Sequence, residues 1–260
     1  MEERRNTKRE RVGGGIALLS LILLATGAAA ITAHGWQRDL GVRVIAVRGN
    51  EIVPATDVAK LAAILKDQKL FAVDIAAAQK RVLANPFIAS ASVTRDIPDR
   101  INIFVTERAP IAALVLGNML SLDADGYVLP YVRSEATFDL PVLTGDLPAQ
   151  ECVPGKQLTD PNVRESLGLL STAKLMDDEL YRRISEVHIG PGDAIVLYMA
   201  DFGVPVDFGH GDAAEKLAKL NGFWNEFVSR RGANELREVD LRYADQVIAR
   251  WHQAKQVVAQ

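Results

Sequence analysis

Cysteine is almost absent from this chain of 260 residues, which contains only Cys152. A single cysteine excludes an intramolecular disulfide framework and any metal site built from a cluster of thiolates. An excess of positive charge is also missing, since 30 lysine and arginine residues stand against 33 aspartate and glutamate residues. Proteins that bind nucleic acid through its phosphates present a basic surface, so this composition disfavours nucleic acid as a partner.

Motifs of familiar catalytic chemistry are missing as well. The four histidines include no HExxH pair, no serine stands in a GxSxG elbow, and Cys152 has no nucleophile signature. The sequence therefore predicts a protein that is not an enzyme and that holds no cofactor and no metal. His210 is the one histidine in a polar loop, and a pocket that joined it to Asp212 and a serine would instead favour a hydrolase.

The chain has one long hydrophobic run and no second one. Residues 12–33 are 22 consecutive uncharged residues, which as a helix rise about 33 Å and exceed the roughly 30 Å of a hydrocarbon core. Residues 1–11 hold five basic side chains against three acidic ones, and such a basic flank stays in the cytoplasm. We therefore expect a cytoplasmic tail at 1–11, a transmembrane helix at 12–34 and all later residues across the membrane.

A cleaved signal peptide remains open as the alternative to this anchor. The densest apolar stretch, residues 16–25, is short, and the alanines at 28–30 offer the small side chains that a signal peptidase requires. Both alternatives place residues from about 38 onward outside the cytoplasm.

Residues 40–108 predict a small module that mixes strands and helices. Extended patterns alternate with helical ones and are separated by turn residues such as Gly49-Asn50 and Asn85-Pro86. They predict a strand at 43–47, helices at 57–65 and 75–83, and strands at 88–95 and 100–107. This βααββ order buries a small sheet under two helices on one face.

Residues 109–251 predict a larger domain that is rich in strands and also contains helices. Asp160 and Pro161 favour the start of a helix that reaches about residue 176, because aspartate caps helices well and proline fits their first turn. A second amphipathic helix spans 212–230, and we expect its apolar stripe to face the core. That stripe consists of Leu217, Leu220, Trp224, Phe227 and Val228. The fold class is therefore α+β, with helices packed on a mostly antiparallel sheet.

The end of the chain predicts a terminal strand. Residues 239–243 and 246–251 are both extended in pattern, and they form either one long strand or two strands around Ala244-Asp245. Residues 252–260 form a short tail without a clear fold. If the strand runs unbroken, one face carries Tyr243, Val247, Ala249 and Trp251.

Several strings in this sequence resemble the FtsQ/DivIB family of bacterial division proteins, which joins a POTRA domain to a β-rich domain. They are VRVIAVRGN from residue 42, IPDRINIFVTERAPIA from residue 97, LPVLTG from residue 140, and VDLRY from residue 239 with Trp251 eight residues after its tyrosine. The resemblance covers residues 12–251. The sequence departs from the family where Gln246 and Arg250 replace glycines that often interrupt the last strand.

The resemblance implies a non-enzymatic scaffold of the division machinery. Such a protein is a single-pass protein of the cell inner membrane at the division septum, with a cytoplasmic N-terminus and periplasmic domains. Its implied partners are FtsB- and FtsL-like bitopic proteins and other division proteins, including the septal peptidoglycan synthase complex. The alternative is a membrane-anchored periplasmic POTRA protein that acts as a chaperone or transport accessory.

The predicted binding mechanism is β-strand addition at the C-terminal strand. An edge strand leaves unpaired N–H and C=O groups, which an extended partner segment can satisfy. The expected partner-binding residues are Arg242, Tyr243, Gln246, Val247, Ala249 and Trp251, of which Arg242, Tyr243 and Trp251 match the family's partner-binding strand. The alternative for Tyr243 and Trp251 is that they only close the core of the domain.

Overall fold

The fold is taken from a computed structural model, which describes residues 20–27, 40–131, 139–243 and 246–252. Residues 20–27 are helical. The rest of the transmembrane segment expected at 12–34 lies outside the described residues, as do the tail at 1–11 and residues 253–260. In the described ranges, no helix combines the length and the apolar character that crossing a membrane requires.

The chain divides into two compact units. The first contains Met1–Leu83 and Ser90–Thr106, and the second contains Ala84–Ala89 and Glu107–Gln260. Each unit has its own sheet.

The first unit has the predicted βααββ order. Its elements are β1 (Val44–Arg48), α1 (Ala55–Ala62), α2 (Ile75–Leu83), β2 (Ile88–Asp96) and β3 (Arg100–Glu107). The sheet order is β1-β3-β2, with β1 parallel to β3. Asp74 accepts a hydrogen bond from the Ala77 amide and caps the start of α2. Val58 and Val82 from the helices and Ile101 from β3 are buried, so the helices and the sheet share one core.

The second unit is built on a nine-stranded mixed sheet in the described part of the chain. Its strands are β4 (Pro110–Leu116), β5 (Asn118–Asp123), β6 (Val128–Pro130), β7 (Val142–Gly145), β8 (Ile184–Ile189), β9 (Ile195–Met199), β10 (Pro205–Asp207), β11 (Leu236–Asp240) and β12 (Ile248–Trp251). The order across the sheet is β12-β11-β10-β9-β8-β7-β4-β5-β6. Five of the eight pairings are antiparallel, and the pairings β10–β11, β7–β8 and β4–β7 are parallel.

Helices pack against one face of this sheet. They are α3 (Pro161–Met176), α4 (Asp178–Arg183), α5 (Ala213–Phe223) and α6 (Ser229–Arg231), with a π-helical turn at Trp224–Val228 between the last two. The start of α3 is where the sequence predicts it, because the Asp160 carboxylate accepts hydrogen bonds from the Asn162 and Val163 amides, each at 3.0 Å.

The π turn changes which residues of the second long helix are buried. Trp224 and Val228 are buried as expected, but Phe227 is 57% exposed, so the prediction that Phe227 faces the core is wrong. A π turn holds more residues than an α turn and rotates the side chains that follow. Phe227 lies within this turn and points outward, while Trp224 and Val228 stay in the core.

The two faces of the sheet differ in their surroundings. The helix face contributes buried side chains such as Leu143, Val187, Leu197 and Val239, which join those of the helices in one core. Alternate residues lie on the other face, which we call the open face and which is only partly buried.

Candidate partner-binding edge

Strand β12 lies at one edge of the nine-stranded sheet. Among the described residues it pairs with β11 alone, in the antiparallel register Asp240↔Ile248 and Val239↔Ala249. Just beyond the strand, the His252 amide donates a hydrogen bond of 2.7 Å to the Glu235 carbonyl oxygen. The side of β12 away from β11 is therefore an edge.

The hydrogen bond of His252 shows which way the backbone groups of β12 point, because the extra residue of the bulge near Leu236 lies on β11 and leaves the alternation along β12 unbroken. In a strand, the N–H and C=O of alternate residues point to the same side. Since His252 faces β11, Arg250 and Ile248 face β11 as well. The N–H and C=O groups of Ala249 and Trp251 then point away from the sheet, and we call these groups the docking edge. Such a row is a template for another strand.

Aromatic side chains lie on the helix face beside the docking edge. The Trp251 and Phe223 rings have centroids 6.3 Å apart, and Phe223 and Phe227 are stacked at 5.7 Å. The Arg231 guanidinium lies over the Trp251 indole, 4.1 Å from its centroid. Trp251 thus connects the edge strand to the end of the long helix.

A cavity of about 440 Å³ opens next to this cluster. Its lining consists of Lys219, Gly222, Phe223, Glu226, Phe227 and Val247. The lining includes two aromatic side chains and one aliphatic side chain, together with one cationic and one anionic side chain. Val247 directly precedes β12, so the cavity lies on the helix side of the edge strand. Its volume is in the range of sites that hold a ligand or a large side chain.

Arg242 is held by a carboxylate of its own chain. Its Nε and Nη2 donate to the two Asp240 carboxylate oxygens at 2.9 and 2.6 Å, and Nη2 lies 4.0 Å from Asp207 Oδ2. The hydrogen bonds from Arg242 lower the pKa of Asp240 below its ordinary value. The Arg242 side chain is still 58% exposed, so the pair lies at the surface at the end of β11.

The structure brings together three of the six predicted site residues. Val247, Ala249 and Trp251 all pack against the helix-side core. Tyr243 does not share their strand, because β11 ends at Asp240 and β12 begins at Ile248, and Tyr243 lies between the two strands at 50% exposure. Gln246 also lies between the two strands and is exposed, and residues 244–245 before it lie outside the described residues.

Sequence reasoning missed three residues of this region. Phe223 and Phe227 line the cavity. The sequence pattern does not indicate Phe223, and it predicts Phe227 in the core because the prediction is based on a regular α-helix. Arg250 is exposed on the open face, where its Nη1 donates to Glu238 Oε1. Arg250 and Glu238 meet only because β11 pairs with β12. The local sequence does not indicate this pairing.

Two other polar clusters contain histidine. His210 Nδ1 lies 2.8 Å from Glu165 Oε2, and no hydrogen bond to a serine is present for His210 in the described ranges. Thr144 Oγ1 donates to Glu186 at 2.5 Å and lies 2.8 Å from His188 Nδ1 on the open face. Within the described part of the chain, no group of three or more His, Cys, Asp or Glu residues is arranged to hold a metal ion.

Comparison with known proteins identifies both units. Residues 40–108 match the profile of the POTRA domain, FtsQ-type, and residues 109–250 match the profile FtsQ/DivIB, C-terminal related. The chain is 30% identical over 248 residues to the cell division protein FtsQ of Rhodothermus marinus, covering 91% of this chain and 88% of that protein. It is 26% identical over 249 residues to FtsQ of Geotalea daltonii, covering 94% and 87%. The resemblance seen in the sequence is confirmed, and the chain belongs to the FtsQ/DivIB family of bacterial cell division proteins.

Proposed function

We propose that this protein is a non-enzymatic scaffold of the bacterial division machinery, anchored in the inner membrane by a helix at 12–34. The N-terminal tail at 1–11 lies in the cytoplasm, and the domains at 40–108 and 109–251 lie in the periplasm at the division septum. The protein binds FtsB- and FtsL-like bitopic proteins and thereby supports septal peptidoglycan synthesis. The membrane part of this proposal rests on the uncharged run and its basic flank.

The observation that carries the binding mechanism is the orientation of β12. The N–H and C=O groups of Ala249 and Trp251 point away from β11, so an extended partner segment can pair with them and become a tenth strand. Strand addition of this kind gains main-chain hydrogen bonds without requiring a particular partner sequence.

Specificity comes from the side chains around the docking edge. A partner strand beside β12 alternates its side chains between the helix face and the open face. Those on the helix face meet Trp251 and the cavity next to Phe223 and Phe227. We infer that a large apolar side chain of the partner enters this cavity, because aromatic residues in such positions dominate binding energies at interfaces.

Binding of the full-length protein in nanodiscs to the extracytoplasmic segment of its FtsB-like partner tests the proposal. Trp251→Ala and Phe227→Ala are each expected to weaken binding at least tenfold, which corresponds to about 1.4 kcal/mol. Tyr131→Ala is the matched control, since Tyr131 is an aromatic residue of 53% exposure beside β6, at the opposite edge of the sheet. Folded Trp251 and Phe227 variants that bind as tightly as the control would contradict the proposal.

A further inference from the structure

We propose that Arg250 selects a partner strand that carries an acidic side chain directly opposite it on the open face. This inference rests on the proposed function, because it requires a strand at the docking edge. It assigns a specificity-determining role to a residue that the sequence marks only as a replacement of a family glycine.

The register of β11 and β12 places Arg250 on the open face. Val239 is fully buried and pairs with Ala249, so both lie on the helix face. Glu238 pairs with Arg250, and both therefore lie on the other side of the sheet. A side chain of an added strand that points to the open face next to Arg250 has no helix above it among the described residues.

Backbone geometry brings the opposite residue close to Arg250. The N–H and C=O of Arg250 point toward β11, as the His252 hydrogen bond requires. In an antiparallel addition, the residue opposite Arg250 is then in a non-hydrogen-bonded pair, where the Cα atoms are only about 4.5 Å apart and the side chains are closest. A charged partner residue directly opposite Arg250 should therefore change the binding free energy more than a charged residue at neighbouring positions of the partner strand.

Arg250 has donors left for a second carboxylate. Its Nη1 donates to Glu238 Oε1, but a guanidinium has five N–H groups in a planar fork. Its side chain is 66% exposed, so the remaining donors are accessible from the edge. Glu238 lies one strand further inward, so an incoming acidic side chain reaches the guanidinium before it approaches the Glu238 carboxylate.

The same arrangement disfavours a basic partner residue at that position. Arg250 is the only Lys, Arg, Asp or Glu between Gln246 and His252, so it sets the sign of the charge along the edge strand. A lysine or arginine opposite it would face a like charge at short range. An acid instead completes a ladder of three alternating charges with Arg250 at its centre.

The test is a double-mutant cycle with full-length protein in nanodiscs and the extracytoplasmic segment of the FtsB-like partner of the same organism. Each acidic residue in the strand-forming part of that segment is replaced by glutamine in turn. Arg250→Gln is expected to weaken binding about fivefold at low salt. One of the glutamine substitutions in the partner should weaken binding to the wild-type protein by the same factor. The same substitution should not weaken binding to the Arg250→Gln protein any further. Both losses should shrink in 0.5 M salt.

Glu238→Gln is the matched control, because it breaks the same ion pair and leaves the guanidinium in place. We expect it to bind at least as tightly as the wild type. If Glu238→Gln and Arg250→Gln lowered the affinity equally, the ion pair would have only a structural role, and the inference would be overturned. It would also be overturned if Trp251→Ala weakened binding while Arg250→Gln and every partner substitution left it unchanged. Absence of wild-type binding, or insensitivity to Trp251→Ala, would instead contradict the proposed function itself.

Discussion

The amide of His252 donates to the carbonyl oxygen of Glu235 at 2.7 Å, and this bond fixes the orientation of the last strand. Because of it, the backbone groups of Ala249 and Trp251 point to the edge of the sheet rather than to β11. If β12 shifted by one residue along β11, the backbone groups of Ile248 and Arg250 would point outward instead. The side chains now on the helix face of β12 would then lie on the open face. The proposed partner site therefore depends on the register in which β12 pairs with β11.

Trp251 and Phe227 should differ in their effect on stability although both border the cavity. Trp251 packs against Phe223 and lies under the Arg231 guanidinium, so Trp251→Ala should lower the free energy of unfolding by about 2–3 kcal/mol. Phe227 is mostly exposed, and Phe227→Ala should cost less than about 1 kcal/mol. Urea denaturation followed by circular dichroism measures both. Equal losses would mean that Phe227 is buried in solution.

Removal of one partner from the ion pair between Arg108 and Asp123 should strongly destabilise the second unit. Arg108 Nη1 lies 2.7 Å from Asp123 Oδ2, the two side chains are only 12% and 6% exposed, and the guanidinium lies 3.4 Å from the Tyr127 ring centroid. Arg108→Met should cost about 3–5 kcal/mol, because it leaves a buried carboxylate without its counter-ion. Arg237→Met, at an exposed position on β11, is the control and should cost less than about 0.5 kcal/mol. A loss below about 1 kcal/mol for Arg108→Met would contradict this account.

Tyr181 connects α4 to strand β4. Its hydroxyl donates to the Ile111 carbonyl oxygen at 2.8 Å in a buried site, and this burial raises the pKa of Tyr181 above its usual range. Tyr181→Phe should lower the free energy of unfolding by about 1–2 kcal/mol, since it leaves that carbonyl unsatisfied. Thermal denaturation beside the exposed control Tyr131→Phe measures the difference. Identical midpoints for the two variants would show that the hydrogen bond contributes nothing.

Protonation of Glu165 at low pH should lower the stability of the second unit. Burial opposes its ionisation, but hydrogen bonds from the Gly211 amide and the His210 ring outweigh that effect and lower its pKa below the ordinary value of 4.5. A carboxyl group with a depressed pKa in the folded state stabilises the fold above its unfolded pKa, and this contribution disappears as the pH falls through the folded pKa. Denaturation midpoints should therefore fall more steeply below about pH 4.5 for the wild type than for Glu165→Gln. Parallel pH profiles would contradict the assignment.

Elements with strong local signals could be predicted from the sequence with their bounds. Asp160 and Pro161 mark the start of α3, and the predicted bounds of α2 at 75–83 and of β3 at 100–107 agree with the structure. These segments combine a clear apolar period with capping or turn residues at their ends. The same local signals placed two extended stretches at the end of the chain but could not decide whether they form one strand or two.

The remaining features depend on contacts between residues far apart in sequence. The parallel pairing of β10 with β11 and the ion pair between Glu238 and Arg250 arise only when the whole sheet is assembled. The π turn that contains the exposed Phe227 departs from the 3.6-residue period, so a helical pattern cannot represent it. This explains why half of the predicted site residues lie together while the cavity beside them was missed.

The most direct measurement of strand addition is the affinity of Ala249→Pro for the FtsB-like partner segment. Proline removes the Ala249 N–H, which points to the docking edge, and it breaks no hydrogen bond to β11, so the fold should tolerate it as edge strands do. We predict that affinity falls at least tenfold while the urea midpoint stays close to that of the control Ala249→Gly, which keeps the N–H. A folded Ala249→Pro protein that binds as tightly as Ala249→Gly would contradict β-strand addition at β12.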